Sequence, residues 1–274
     1  MGASAKREKR VKMRKMEEKQ TGSVKRAKNV HVLDSKGETD QVSQKLSKKK
    51  FTTHDLCSLT PRNDRQYDFL ESYYSGADII TATGPAGTAK TFLSMYCALS
   101  DAFEDGNCEI DRVIVIRSAV ETRSQGFLPG TLEEKSEPYE SPYSKIAKEI
   151  MPEYNDPYSH LKSLGYLQFY TTAHLRGLTF NRSVVIVDEI QNFDYDELVT
   201  VITRLGLHSK IILCGDLKQN DLKRQREKSG LEKLMEVVDR MQNVYYSHIE
   251  YGLEDIERSG LVKEFIKADY FSEH

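Results

Sequence analysis

The chain predicts an α/β fold, a mainly parallel sheet covered by helices, and three observations carry that expectation. Short apolar runs rich in Ile and Val recur between residues 78 and 250, stretches with apolar residues at helical spacing separate them, and several runs end in Gly, Asp or Glu. Strands that alternate with helices form βαβ units, and strands buried on both faces read as continuous apolar runs rather than alternating ones. Strands are expected near 78–83, 112–117, 166–171, 183–188, 210–215 and 244–250, with helices over 90–104, 194–206 and 229–240.

The first run, Ile79-Ile80-Thr81-Ala82, leads into Gly84-Pro85-Ala86-Gly87-Thr88-Ala89-Lys90-Thr91. That segment is a single residue away from G-x-x-x-x-G-K-[ST], the loop whose backbone N–H groups wrap around nucleotide phosphates. Lys90 to Phe103 then carries apolar residues at helical spacing, so the loop stands between a strand and a helix as the motif requires. The departure is Ala89, where the pattern has Gly. If the position needs φ > 0, alanine costs about 1–2 kcal/mol of strain, enough to weaken binding without abolishing it.

Further along, Ser183-Val184-Val185-Ile186-Val187-Asp188-Glu189 reads as a buried parallel strand that delivers two carboxylates to the C-terminal edge of the sheet. That edge is where open α/β sheets bind their ligands. In P-loop NTPases such an Asp holds Mg²⁺, a residue placed like Thr91 supplies a hydroxyl ligand, and one placed like Lys90 neutralises the β- and γ-phosphates. A neighbouring Glu, here Glu189, can polarise the attacking water. A second run, Lys210 to Cys214, ends in Gly215-Asp216-Leu217-Lys218-Gln219, which brings Gln219 to the same rim, where it can orient water or report on the γ-phosphate. Singly, Asp-Glu after a strand is often a helix N-cap and Gly-Asp a turn. Three such features in order, each at an expected strand end, favour nucleotide chemistry.

Two segments depart from this pattern. Residues 129–157 hold five of the seven prolines, with Tyr139, Tyr143, Tyr154 and Tyr158 interleaved or adjacent. Proline at that density suppresses helix, so a surface excursion is expected, its tyrosines stacking on bases, filling a subunit contact or simply packing. Residues 1–50 carry 16 Lys or Arg against 6 Asp or Glu, whereas residues 51–274 carry 24 against 36. The chain is thus an acidic domain, 51–274, with a basic tail, 1–50, too polar to bury a core and expected to be disordered. The tail can hold nucleic acid through its phosphates, or serve as a solubilising extension. No apolar run approaches the length of a membrane span, and Cys57, Cys97, Cys108 and Cys214 lack C-x-x-C spacing, so reduced thiols in a cytoplasm are expected. The histidines form no metal-ligand cluster.

These residues, and those between them, resemble the PhoH family of P-loop ATPases. The family pattern is also matched by Arg117, Gly126-Phe127-Leu128-Pro129-Gly130, Glu134-Lys135, Pro138-Tyr139, Arg176-Gly177, Thr179-Phe180, Thr203-Arg204-Leu205-Gly206 and Ser229-Gly230-Leu231, over about residues 60 to 268. Departures are Ala89 for Gly and Ser118 where the family usually has Pro. The resemblance implies a RecA-like P-loop NTPase fold, similar to the first lobe of superfamily 1 helicases, with ATP and Mg²⁺ as ligands and RNA or single-stranded nucleic acid as the substrate of the work. It implies that Gln66, just upstream of the first strand, reads adenine, and that Asp188-Glu189-x-Gln191 and Gly215-Asp216-x-x-Gln219 match the second and third helicase motifs. A helicase site lies between two lobes, and this chain has room for one. A homo-oligomer, a hexamer by the resemblance to ring-forming ATPases, would supply the missing side, with Arg117, Arg204 and above all Arg258 as candidates for the arginine offered in trans, each of them equally readable as a cis sensor or a surface salt bridge. The alternatives are a nucleotide-binding module with little turnover and a nucleic-acid-binding protein that works through its tail.

Overall fold

The computed structural model describes residues 51–104, 109–118, 132–216 and 230–272. The basic tail, the segment around Gly126-Phe127-Leu128-Pro129-Gly130 and Gln219 lie outside them. Among the described residues, no helix is long and apolar enough to cross a membrane.

Six strands form one wholly parallel sheet: β1 Ile79–Thr83, β2 Arg112–Arg117, β3 Leu167–Thr171, β4 Ser183–Val187, β5 Lys210–Gly215 and β6 Tyr246–Glu250, in the order β3-β2-β4-β5-β1-β6. Each begins within about two residues of its expected place. The helices are α1 Asp64–Tyr74, α2 Lys90–Phe103, α3 Leu132–Ile150, α4 Pro157–Ser163, α5 Tyr195–Ile202, α6 Gly230–Val238 and α7 Gly260–Ser272. Side chains alternate across the strands, so Val184, Ile186, Ile212 and Cys214 face a core built with α1 to α4, while Val185, Val187, Ile211 and Leu213 face one built with α5 and α6. Every residue of β1 and β4 is buried, which is why both segments read as unbroken apolar runs.

This topology positions the site. The loop after β1 and the carboxylates after β4 leave the same edge of the sheet, with β5 between them. At about 4.8 Å per strand spacing, the two strand ends lie about 10 Å apart, a gap that side chains reaching from each can close.

The proline-rich segment is not the surface excursion expected of it. α3 runs straight through Pro138 and Pro142. The two prolines are four residues apart and both exposed, so they share the solvent side of the helix. Tyr139, Tyr143, Ala147 and Ile150 line the opposite side and are buried. An interior proline costs a helix about 3 kcal/mol, whereas burying each large apolar side chain returns about 1.5–3 kcal/mol. Tertiary packing therefore overrides local propensity. Glu140, also buried, accepts from the hydroxyl of Tyr158 at 2.6 Å and from Lys162 at 2.5 Å, which fastens α4 to α3.

Pro138→Ala restores one ladder donor on the solvent side at no loss of core. It is expected to raise unfolding stability by roughly 1–2 kcal/mol, the helix gain less the extra freedom of the unfolded chain. Urea denaturation at constant slope measures it, and an unchanged midpoint would mean that α3 is built around its prolines.

Candidate functional site

The loop between β1 and α2 needs a backbone that side chains rarely permit. Gly84 has φ 134°, Gly87 has φ 82°, and Ala89, the residue before α2, sits in the left-handed region at φ 68°, ψ 18°. The glycine that the motif asks for at position 89 is thus a conformational requirement, and the alanine bears its strain. Gly84 and Gly87 are also constrained by what approaches them. A Cβ on Gly84 would stand 2.3 Å from the carbonyl oxygen of Tyr251, and one on Gly87 would stand 2.7 Å from Cγ of Arg258. Both neighbours belong to the segment that follows β6 and folds back over the loop. The N–H of Tyr251 donates to Thr83 O at 2.7 Å and that of Glu257 to Gly87 O at 2.8 Å, so this strap is hydrogen-bonded to the loop at both ends.

Inside the loop, Lys90 is buried and its ammonium donates to Gly84 O at 2.7 Å, Pro85 O at 2.8 Å and Thr88 Oγ1 at 3.1 Å. Thr88 in turn donates to Pro85 O at 3.0 Å. Burial pulls the Lys90 ammonium below its usual range, against the opposing pull of the buried Cys214 and of the carboxylates Asp216, Asp188 and Glu189. A cation held out of water beside a ring of backbone dipoles suits an anionic ligand, which restores the interactions that desolvation removes.

The carboxylates after β4 meet the loop directly. Thr91 Oγ1 donates to Asp188 Oδ1 at 2.9 Å across 97 residues of sequence, and the hydroxyl of Tyr143, from α3, donates to Asp188 Oδ2 at 2.8 Å. Burial and the neighbouring Glu189 charge push the Asp188 carboxyl up, while the Tyr143 hydroxyl, Arg117 and the Thr91 hydroxyl hold it down. Glu189 is itself in the left-handed region, at φ 56°, ψ 49°. Its Oε2 accepts from Gln191 Nε2 at 2.6 Å and its Oε1 lies 3.9 Å from the Arg117 guanidinium at the end of β2. Gln191 Oε1 accepts from the N–H of Asp216 at 3.0 Å, so one buried carboxamide ties Glu189 to the end of β5. Gly215 permits this, because a Cβ there would stand 2.4 Å from Gln191 Oε1.

The loop and the strand-end carboxylates line a cavity of about 660 Å³, whose lining does not include Gly84, Arg117, Tyr143 or Gln191. Ala86, Gly87, Thr88, Ala89, Lys90 and Thr91 form its floor, Asp188, Glu189 and Asp216 one wall, and Gln66 with Arg258 another. The carboxamide oxygen of Gln66, on α1, accepts from the N–H of Arg62 at 2.9 Å, which fixes the orientation of the amide. Arg258 lies over the glycine of its own loop. The strap that carries it turns back on its own domain, so the side chain stands in the lining of its own chain's cavity. Arg204 follows α5, does not line the cavity, and gives its carbonyl to the N–H of Phe180 at 2.7 Å. Tyr143 and Gln191 are the site residues whose contacts sequence reasoning did not supply.

The family model described as PhoH-like protein matches residues 58–270 of this chain. The chain belongs to the PhoH family. Among its relatives are a PhoH-like protein of Synechocystis, 34% identical over 89% of this chain and 72% of the relative, and one of Bacillus subtilis, 36% identical over 70% and 58%. The protein PhoH of Escherichia coli is 32% identical over 79% of this chain and 59% of its own length. The chain thus spans between about half and three quarters of the curated relatives it matches. The PhoH family is broadly one of nucleotide-binding proteins, and the loop, the parallel sheet and the cavity at its C-terminal edge fit that class.

The donor set fits Mg²⁺. Thr91 and Asp188 offer a hydroxyl and a carboxylate, both hard oxygen donors, and Mg²⁺ is commonly held by one or two protein oxygens together with phosphate and water. Among the described residues no cluster of three or more His, Cys, Asp or Glu forms a cage that would hold a metal by protein ligands alone.

Ala89→Gly should relieve about 1–2 kcal/mol of left-handed strain while adding about 0.5–1 kcal/mol of chain entropy, a net gain of up to about 1.5 kcal/mol. Chemical denaturation reads the stability, and loss of stability would mean that the surrounding loop has adapted to alanine.

Proposed function

We propose that the chain binds ATP with Mg²⁺ in the cavity and hydrolyses it, coupling turnover to remodelling of RNA or single-stranded nucleic acid in the manner of a helicase. The observation that carries this reading is the Thr91 to Asp188 hydrogen bond beside buried Lys90, since it brings a phosphate-loop hydroxyl and a strand-end carboxylate together where metal and phosphate would meet. Lys90 and the loop N–H groups bind the β- and γ-phosphates, while Thr91 and Asp188 hold the cation. Mg²⁺, when bound, neutralises charge between the phosphoryl oxygens. Glu189, with one oxygen fixed by Gln191, accepts the proton of the attacking water on Oε1. Arg258 stabilises charge on the transferring phosphoryl group from within its own chain, and Gln66 reads adenine. Gln219, outside the described residues, is assigned the γ-phosphate by its place after β5. The basic tail supplies salt-dependent contacts to nucleic acid. The protein is further proposed to be cytoplasmic and to assemble as a homo-oligomer, a hexamer by the family resemblance.

One observation favours a second reading, a nucleotide-binding module with little turnover. Ala89 holds a glycine conformation, and the Lys90 ammonium is engaged by oxygens of its own loop.

Glu189→Gln separates the two readings. It removes the base and keeps Lys90, Thr91 and Asp188, so ATP binding by a fluorescent analogue should persist while steady-state hydrolysis is lost; Lys90→Ala should lose binding itself. Hydrolysis by Glu189→Gln at the parent rate contradicts the assignment.

The position of Arg258 gives an independent test of whether sites are shared. Arg258→Ala should cut turnover by ~10³-fold with nucleotide affinity within a few-fold. Because the arginine lies over its own loop, mixing Arg258→Ala with Lys90→Ala should restore no activity. Regained activity in the mixture would place Arg258 in a neighbour's site.

A further inference from the structure

We infer that Tyr143 is a positioning residue of the metal site, whose phenol hydroxyl fixes the rotation of the Asp188 carboxylate so that Oδ1 faces Thr91 and the cation. The inference rests on the proposed role of Asp188 as a metal ligand and deepens it. Each oxygen of this buried carboxylate has a hydroxyl donor, and the two differ in origin. Thr91 reaches Oδ1 from the phosphate loop, and its own oxygen is a ligand once a cation is present. Tyr143 reaches the other oxygen, Oδ2, from α3, and that bond does not use Oδ1.

Tyr143 is held firmly enough for this work. Its side chain is 1% exposed, its ring lies 5.8 Å from that of Phe169 on β3, and α3 is fastened again, one residue before Ser141, where buried Glu140 meets Tyr158 and Lys162. The chemistry of the donor also matters. A Lys or Arg in this place would cancel the carboxylate charge and repel a divalent cation. A phenol donates one hydrogen bond and leaves the negative charge for the metal. A tyrosine needed for packing alone could be phenylalanine, and its buried hydroxyl would be a cost without an acceptor. Partners of this kind, which orient a metal ligand without touching the metal, commonly change metal affinity by about 10–100-fold when removed.

The test uses the full chain with saturating ADP and Mn²⁺ as the probe, free Mn²⁺ being counted by its electron paramagnetic resonance signal. Tyr143→Phe keeps the ring and removes the oxygen. It should weaken Mn²⁺ binding about 10-fold or more, while ADP binding in EDTA stays within about 2-fold. Ile150→Val keeps the hydroxyl and loosens the packing of the same helix, so it should lower the unfolding midpoint and leave the Mn²⁺ constant unchanged. Tyr143→Phe with unaltered Mn²⁺ affinity overturns the inference, as does an equal loss in Ile150→Val. Asp188→Asn tells the failures apart: if it too leaves Mn²⁺ binding intact, the metal assignment itself is wrong, whereas if it alone abolishes binding, only the role of Tyr143 falls.

Discussion

A hydroxyl and a carboxylate, joined at 2.9 Å between the start of α2 and the end of β4, are the contact around which the rest of this molecule is arranged. For it to form, β1 and β4 must run in fixed register with β5 between them, Val187 opposite Leu213 and Leu213 opposite Thr81, which the parallel ladder enforces residue by residue. The carboxylate must also survive burial, which it does on two hydroxyl donors and at the cost of a raised pKa. Its two hydroxyl donors and the nearby Arg117 favour the charged form against burial and the adjoining Glu189.

Strain follows the same geography. Ala89 and Glu189 are two of the five non-glycine residues at positive φ among those described, and both stand at the ends of the segments that meet at Thr91 and Asp188. Such conformations persist only where neighbouring structure over-determines them. Here that structure is specific: the strap clamps the loop through Tyr251 and Glu257, and Gln191 locks Glu189 to Asp216. The loop and the carboxylates are therefore held by elements that the phosphate-loop motif does not include.

The sequence made visible what is local or periodic. The four inner strands appear as apolar runs because both faces of the sheet are covered there, whereas the edge strands β3 and β6 are mixed and only partly buried; the loop and Asp188-Glu189 stand out because a strand end must turn abruptly. What stayed hidden depends on distant approach. Tyr143 looked like one of several tyrosines in a proline-rich stretch, since the prolines mark the solvent face of α3 and conceal a buried stripe at four-residue spacing. The approach of Arg258 to the loop was hidden as well, because nothing in Ile256-Glu257-Arg258 records that the strap doubles back over Gly87. Gln191 looked like the last letter of a motif, and its link to Asp216 requires the register of β4 against β5.

The central claim is that Thr91 and Asp188 present one cation to the phosphates of a nucleotide. Its most direct test is a crystal structure with a non-hydrolysable ATP analogue and Mn²⁺, with anomalous scattering at a wavelength where manganese stands out. The account predicts a single peak at hard-oxygen coordination distance, about 2.1 Å, from Thr91 Oγ1 and from a β- or γ-phosphoryl oxygen, with Asp188 Oδ1 bound directly or through one water. A nucleotide seated elsewhere, or a manganese peak with neither Thr91 nor Asp188 in its first or second shell, would contradict it.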